Sequence, residues 1–314
     1  MNRFFYFTVL LLAICTVFFA CSKEMPKPAY PRKSEKIILP DKQPVQLNAI
    51  GRIVFSPINE TSGLVRSRLW PDVLWTHNDS GDEARIFPIS MDGSILKPEW
   101  MKKYQGIQIP NAVNVDWEDI TTDDVGNLII ADVGNNTNAR RDLTIYFVAE
   151  PYPIETVITS TQYSVHVYYP EQKEFPAIKR NFDCEGVFWA NGKLYFVTKH
   201  RSDKYTSLYR LDTLDPVKKV ALTYIGQFDI GGMVTGADAT PDGKEIAVLT
   251  YSAMWLFEAP EGSDDYFNGK IRWLPIAQNR KYEAICYHGD TLLIACEERD
   301  IFEVKKDAFV VVRE

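Results

Sequence analysis

One feature constrains this chain more than any other: a unit of strand, tight turn and strand that recurs five times. The copies begin at Ser62 (SGLVRSRLWPDVLWTHNDSG), Glu118 (EDITTDDVGNLIIADVGNN), Glu185 (EGVFWANGKLYFVTKH), Gly236 (GADATPDGKEIAVLTY) and Glu283 (EAICYHGDTLLIACEE), at intervals of 56, 67, 51 and 47 residues. Gly126, Gly192, Gly243 and Gly289 supply four of the turns, and Pro71-Asp72 marks the first. Third strands follow each copy (RIFPIS, TIYFVAE, SLYRLD, MWLFEA, IFEVKK), and fourth strands such as YSVHVYY and ALTYIGQF follow most of them. Four antiparallel strands per ~40–50 residues is the pattern of a β-propeller blade. The expected fold is therefore all-β, a propeller of four-stranded blades, with five repeats counted and room for a sixth in the 67-residue interval. A large β-sandwich would not repeat the same unit in this way. Blade five lacks a fourth strand of its own. Either AFVVVRE at the C-terminus or QLNAIGRIVF before the first repeat supplies it, and the second choice closes the ring and protects its edges.

The chain divides into residues 1–20, 21–46 and 47–314. Phe4 to Ala20 carries no charge and follows Arg3, as in a secretory signal or a membrane anchor. Ala20-Cys21-Ser22 resembles the bacterial lipoprotein cleavage box, so Cys21 is the expected lipidation site. Five prolines and a set of lysines make residues 21–46 read as an extended, solvated tether. The expected location is the cell envelope, lipid-anchored at the outer membrane, with the bilayer as a partner through that lipid. The net charge of −7 argues against nucleic-acid binding. Cys184, Cys286 and Cys296 lack CxxC spacing and read as buried thiols; with a turn at Gly289-Asp290, Cys286 faces Leu293 and Cys296 faces Glu283, so they do not pair.

In a propeller, the starts of first strands and the ends of second strands meet at one mouth of the channel. That places Glu118, Glu185 and Glu283 beside Asp116, Asp119 and Asp183. Ser62 and Gly236 take the equivalent place in the other two blades. The second-strand ends bring His77-Asn78-Asp79, Asp132 with Asn135 and Asn136, Lys199-His200, Tyr251 and Glu297-Glu298. Crowded carboxylates repel and need an offset. Three arrangements supply one: a hard cation such as Ca²⁺ held by Glu118, Asp132, Glu185 and Glu283; local cations such as Lys199, Arg140 and Arg141; or backbone N–H groups of the next blade accepted by each Glu. His77 and His200 are the candidate proton-transfer groups. Asn78, Asp79, Trp117, Lys199, Tyr251 and Glu297 are the candidate contacts to a small-molecule or protein ligand. No HxH, HxxxH, GxSxG or P-loop pattern occurs. The acidic run Glu261–Asp265 falls on the opposite face and reads as a solvated loop.

Several of these motifs resemble a known family. Ser62-Gly63-Leu64 with His77-Asn78-Asp79-Ser80-Gly81, then Asp116-Trp117-Glu118-Asp119-Ile120, then Ile130 to Asn136 (IADVGNN), look like the SdiA-regulated and phytase-like esterase propellers. The likeness spans residues 60–300 and is strongest over 60–150. It implies a TolB-like propeller, exported and often linked to calcium; a catalytic metal in the funnel would polarise an ester or phosphoester oxygen and position water. Asn135-Asn136 and Gly236 each remove a carboxylate that the family pattern would carry. The other expectation is a ligand-binding or scaffold propeller without turnover, its Glu ring structural.

Overall fold

The protein is described here by a computed structural model covering residues 36–314. The signal segment, Cys21 and most of the tether lie outside the described residues. Residues 36–48 run without regular structure, apart from a parallel bridge between Val45 and Ile276.

The strands form five sheets around a common axis, each one blade. The first strands are Thr61–Arg66, Trp117–Thr122, Asp183–Ala190, Val234–Ala239 and Tyr282–His288. Each packs on its neighbours in order, and the fifth packs on the first, which closes the ring. Ala49–Arg52 pairs with Asp300–Lys305 and completes blade five. The C-terminal strand Val310–Arg313 instead adds a fifth strand to blade four, against Ile271–Pro275. The long interval before blade three holds a strand-free stretch, residues 169–182, rather than a sixth blade, and blade two gains a fifth strand, Val220–Ala221, from the chain segment of blade three. Helix among the described residues is limited to two short 3₁₀ turns, Tyr266–Asn268 and Lys306–Ala308.

Period-two geometry explains why the second strands read as continuous apolar runs. In blade two, Leu128 and Ile130 point to a core shared with blade one, while Ile129 and Ala131 point to one shared with blade three. In blade three, Leu194 and Phe196 face blade two, and Tyr195 and Val197 face blade four. Five cores result, one per blade interface. Fully burying one such aliphatic side chain contributes roughly 1.5–3 kcal/mol.

Every first strand carries a register irregularity at the same end. The breaks fall between Thr61 and Leu64, Trp117 and Asp119, Cys184 and Gly186, Val234 and Gly236, and Tyr282 and Ala284. A bulge inserts a residue and re-aims its side chain. The bulged residues are Ser62-Gly63, Glu118, Glu185, Thr235 and Glu283. The blade-four equivalent of the glutamates is thus Thr235, and not Gly236 as repeat spacing suggested. The bulge at Glu283 also moves the register by one, so Cys296 lies opposite Tyr282; Cys286 lies opposite Leu293 as expected. Cys184, Cys286 and Cys296 are free and buried.

Candidate functional site

Four of the five bulges, those of blades one, two, three and five, face a polar cavity of about 200 Å³ at one mouth of the channel. Glu118, Glu185 and Glu283 line it with Asp79, Lys199, Arg201, Tyr251 and Glu297. The two halves of its wall differ in charge balance. On the side of blades three to five, the Lys199 ammonium lies 3.0 Å from Glu185 Oε1 and donates to the Tyr251 hydroxyl at 3.2 Å. Tyr251 in turn donates to Glu283 Oε1 at 3.1 Å. Arg201 lies 2.7 Å from Asp183 Oδ2 and 3.5 Å from Glu185. The second acid of that region, Asp183, also accepts the Asn135 N–H at 2.6 Å.

The other half has no such pairing. Oxygen atoms of Asp79, Asp116 and Glu118 lie within 4.8 Å of one another. Glu118 is 5% exposed, and among the described residues its carboxylate has neither a hydrogen-bond donor nor an ion pair. Burial pushes its carboxyl well above the usual range, and Glu185, Asp79, Asp116 and Asp183 push further in the same direction. Asp116 rises to about 6, through burial and then Asp79 and Asp183. Across the cavity Glu283 rises to about 7 by burial, opposed by Lys199. Burial also raises Glu185 against the pull of Lys199. Burial works against the Lys199 charge as well, but Glu185, Tyr251 and Glu283 outweigh it and hold the ammonium above its ordinary range.

Gly134 makes the close approach of Glu118 and Asp116 sterically feasible. A Cβ there would fall 2.1 Å from Glu118 Oε1 and 2.4 Å from Asp116 Oδ2. The loop is held by Arg140, which contacts Asp132 at 3.0 Å and the Gly134 carbonyl at 2.9 Å. Asp132 is thus engaged by Arg140 and by the Asp116 N–H (2.9 Å), outside the acidic cluster.

Blade-to-blade capping exists, but other carboxylates perform it. Asp119 accepts from the Val187 N–H of blade three at 2.8 Å and the Ala237 N–H of blade four at 3.5 Å. Asp238 accepts from the Tyr287 N–H of blade five at 2.8 Å. Ser62 Oγ donates to the Glu118 carbonyl at 2.9 Å. Backbone capping between blades is thus carried by Asp119 and Asp238, while Glu185 and Glu283 are joined across blades three to five through Lys199 and Tyr251.

The structure places the remaining sequence candidates as follows. His77 is fully buried, with its ring edge-on to Trp117 at 5.6 Å and Nδ1 against the Asn78 carbonyl at 2.9 Å. His200 is 2% exposed, and burial lowers the pKa of both imidazoles. Asp203, His200 and Ser207 form a hydrogen-bond chain of 2.7 and 3.3 Å in the order of a nucleophile relay. Ser207 is buried within the sheet and Thr206 and Ser207 both bond Thr198, so the chain ties strands together. Trp117 belongs to the core between blades one and two, and its Nε1 donates to the Val113 carbonyl. Asn78 is buried; its Oδ1 accepts from Asn59 and Glu60 N–H groups and its amide donates to the Pro57 carbonyl. Arg141 stacks over Phe175 rather than facing the acids. The run Glu261–Asp265 is tied down as well, since Asp264 pairs with Arg210 and accepts from Tyr195 at 3.0 Å. Sequence reasoning missed Arg201 and Glu60, both in the cavity wall. Arg201 lies two residues past the second strand of blade three; Glu60 lies one residue before the first strand of blade one.

No family model matches the sequence, and no curated protein matches it. The SdiA-regulated and phytase-like resemblance therefore remains one of motifs. Solved structures match the fold at low identity. A β-propeller domain of Cps50 (Swd1) from Myceliophteria thermophila is 10% identical with a TM-score of 0.42, covering 82% of this chain and all of that one. A chain of a mitotic checkpoint complex is 9% identical (TM-score 0.40; 86% of this chain, 97% of that one). A candidate 6-phosphogluconolactonase from Bacteroides uniformis is 11% identical (TM-score 0.38; 80% and 85%).

Proposed function

We propose that this propeller binds Ca²⁺ in its funnel and uses the site on an ester or phosphoester ligand. One observation carries the reading: Glu118 is a buried carboxylate with no hydrogen-bond donor or ion pair among the described residues, placed among the oxygens of Asp79 and Asp116. An anionic oxygen set at that spacing is what a hard cation requires, and water supplies its other ligands. Asp79, Asp116 and Glu118 would hold the ion. A bound Ca²⁺ polarises an ester or phosphoester oxygen and positions water. Lys199 and Arg201 present cationic groups to the same cavity and would orient an anionic head. Tyr251 and Glu283, linked at 3.1 Å, are the groups placed to hold or pass a proton there, since His77 and His200 do not line it.

The motif resemblance over residues 60–150 supports this substrate class, and the lipoprotein-like box at Cys21 supports an envelope location on a lipid anchor. A second reading, ligand binding without turnover, is favoured by the burial of both histidines. Thermal unfolding in chelator and then in Ca²⁺, Mg²⁺ or Zn²⁺ tests the ion. A ligand at ~100 times its dissociation constant stabilises by ~2.7 kcal/mol. The expected result is a rise specific to Ca²⁺ that Asp116→Asn removes; metal-free protein indifferent to every ion would refute the cation site. Ester and phosphoester hydrolysis assays on the Ca²⁺ form then separate the two readings.

A further inference from the structure

Two further cavities adjoin the funnel wall at blade one. Glu60 lines both the funnel and a second cavity of about 250 Å³, walled by Ser56, Asn59 and Ser80. Asp82 lines that second cavity and also a third, of about 400 Å³. The third is walled by Ala84, Ile109, Pro110, Ala112 and Val113. Asn114 borders it too, and its amide donates to the carbonyl of the funnel residue Asp79 at 2.9 Å. All three cavities open on loops at the same end of blade one.

The chemistry changes along this path. Carboxylates and cations give way to amides and hydroxyls, and these to apolar side chains. Charge in the third cavity is reduced to Glu83, which accepts from the Gln108 amide at 3.1 Å, since Arg85 binds Asp82 through two contacts of 2.6 and 2.8 Å. At the far end Val113 is 60% and Val115 43% exposed, so apolar surface is left to water. The backbone there has no free strand edge to offer a peptide. Gln108 N–H bonds the Val157 carbonyl, Ile109 N–H the Ala84 carbonyl and Ala112 N–H the Ile109 carbonyl. What remains for a ligand is carbon surface.

We propose that the funnel's ligand is an amphiphile: an anionic ester or phosphoester head at the channel mouth, and an alkyl tail lying across blade one onto Ile109–Val113. This rests on the funnel as the binding site for the head and adds the tail. Isothermal titration with methyl, butyl and octyl phosphate, in Ca²⁺ and below micelle formation, tests it. Each methylene buried against carbon tightens binding about fourfold. Octyl phosphate is therefore expected to bind at least tenfold tighter than methyl phosphate, with most of the gain falling between butyl and octyl because the stretch next to the head is polar. Val113→Asp, a change at an exposed loop position, is expected to flatten that series. Methyl phosphate that binds as tightly as octyl overturns the tail site and leaves the funnel reading standing. A chain-length gain that Val113→Asp does not reduce overturns the placement. Absence of binding at every length overturns head and tail together.

Discussion

Replacing Glu118 by Gln offers the sharpest test of what the acidic cluster is for. A carboxylate that serves the fold loses stability when its charge is removed. Glu118 should do the reverse. Its oxygens lie within 4.8 Å of those of Asp79 and Asp116, and of Asp183 and Glu185. At an effective dielectric of ~20, two unit charges at that distance repel by about 3.5 kcal/mol. Proton uptake and the neighbouring arginines relieve part of this, which leaves a net gain of about 1–2 kcal/mol for the neutral amide at pH 8. That corresponds to a rise in midpoint of about 2–6 °C for a chain of this size. The sign with pH follows from the raised carboxyl of Glu118. A group whose pKa is raised by folding favours the fold below its unfolded pKa and loses that contribution as pH climbs through the folded value. The stabilisation by Gln should therefore shrink between pH 8 and pH 5. Calorimetry in chelator at both pH values, repeated in Ca²⁺, provides the readout. Wild type should gain from Ca²⁺ and the variant should not. Destabilisation of the metal-free variant at pH 8 would refute the reasoning and make Glu118 a structural group.

Asp119→Ala should cost about 2–4 kcal/mol, because it leaves the Val187 and Ala237 N–H groups without their acceptor inside the ring; a variant as stable as wild type in denaturant titrations would contradict this. Lys199→Met removes the cation between Glu185 and Glu283 and should destabilise by about 3–5 kcal/mol at pH 8. That loss should be smaller at pH 5, where Glu283, whose pKa is about 7, is already protonated; midpoints measured at the two pH values decide it. Gly134→Ala should abolish Ca²⁺ stabilisation, since the added methyl would displace the oxygens of Glu118 and Asp116. Ca²⁺ titration followed by intrinsic tryptophan fluorescence checks this, and unchanged affinity would remove both carboxylates from the ligand set.

The propeller and its five blades were legible in the chain because strand periodicity and turn residues are local. Each second strand is buried on both sides, so its apolar run announces it, and the glycine turn sets its partner. The convergence of Glu118, Glu185 and Glu283 on one mouth followed from the same repeat. Three things needed the tertiary structure. The first was register: a bulge inserts one residue, leaves the pattern of residue types unchanged, and alone decides that Thr235 rather than Gly236 takes the bulge position in blade four. The second was the division of labour between adjacent acids. Glu118 and Asp119 are neighbours in sequence, yet the bulge turns one to the funnel and the other to the amides of blades three and four. The third was which charges pair. Arg201 reaches Asp183, Arg140 reaches Asp132 and Lys199 lies against Glu185, each within one blade, while Tyr251 links Lys199 to Glu283 across blades three to five. Composition specifies how many charges there are. The geometry of the closed ring decides that Glu118 is left among acids without an ion pair among the described residues, because only packed blades set the distances between Asp79, Glu118 and Glu185, which the sequence keeps on three different blades.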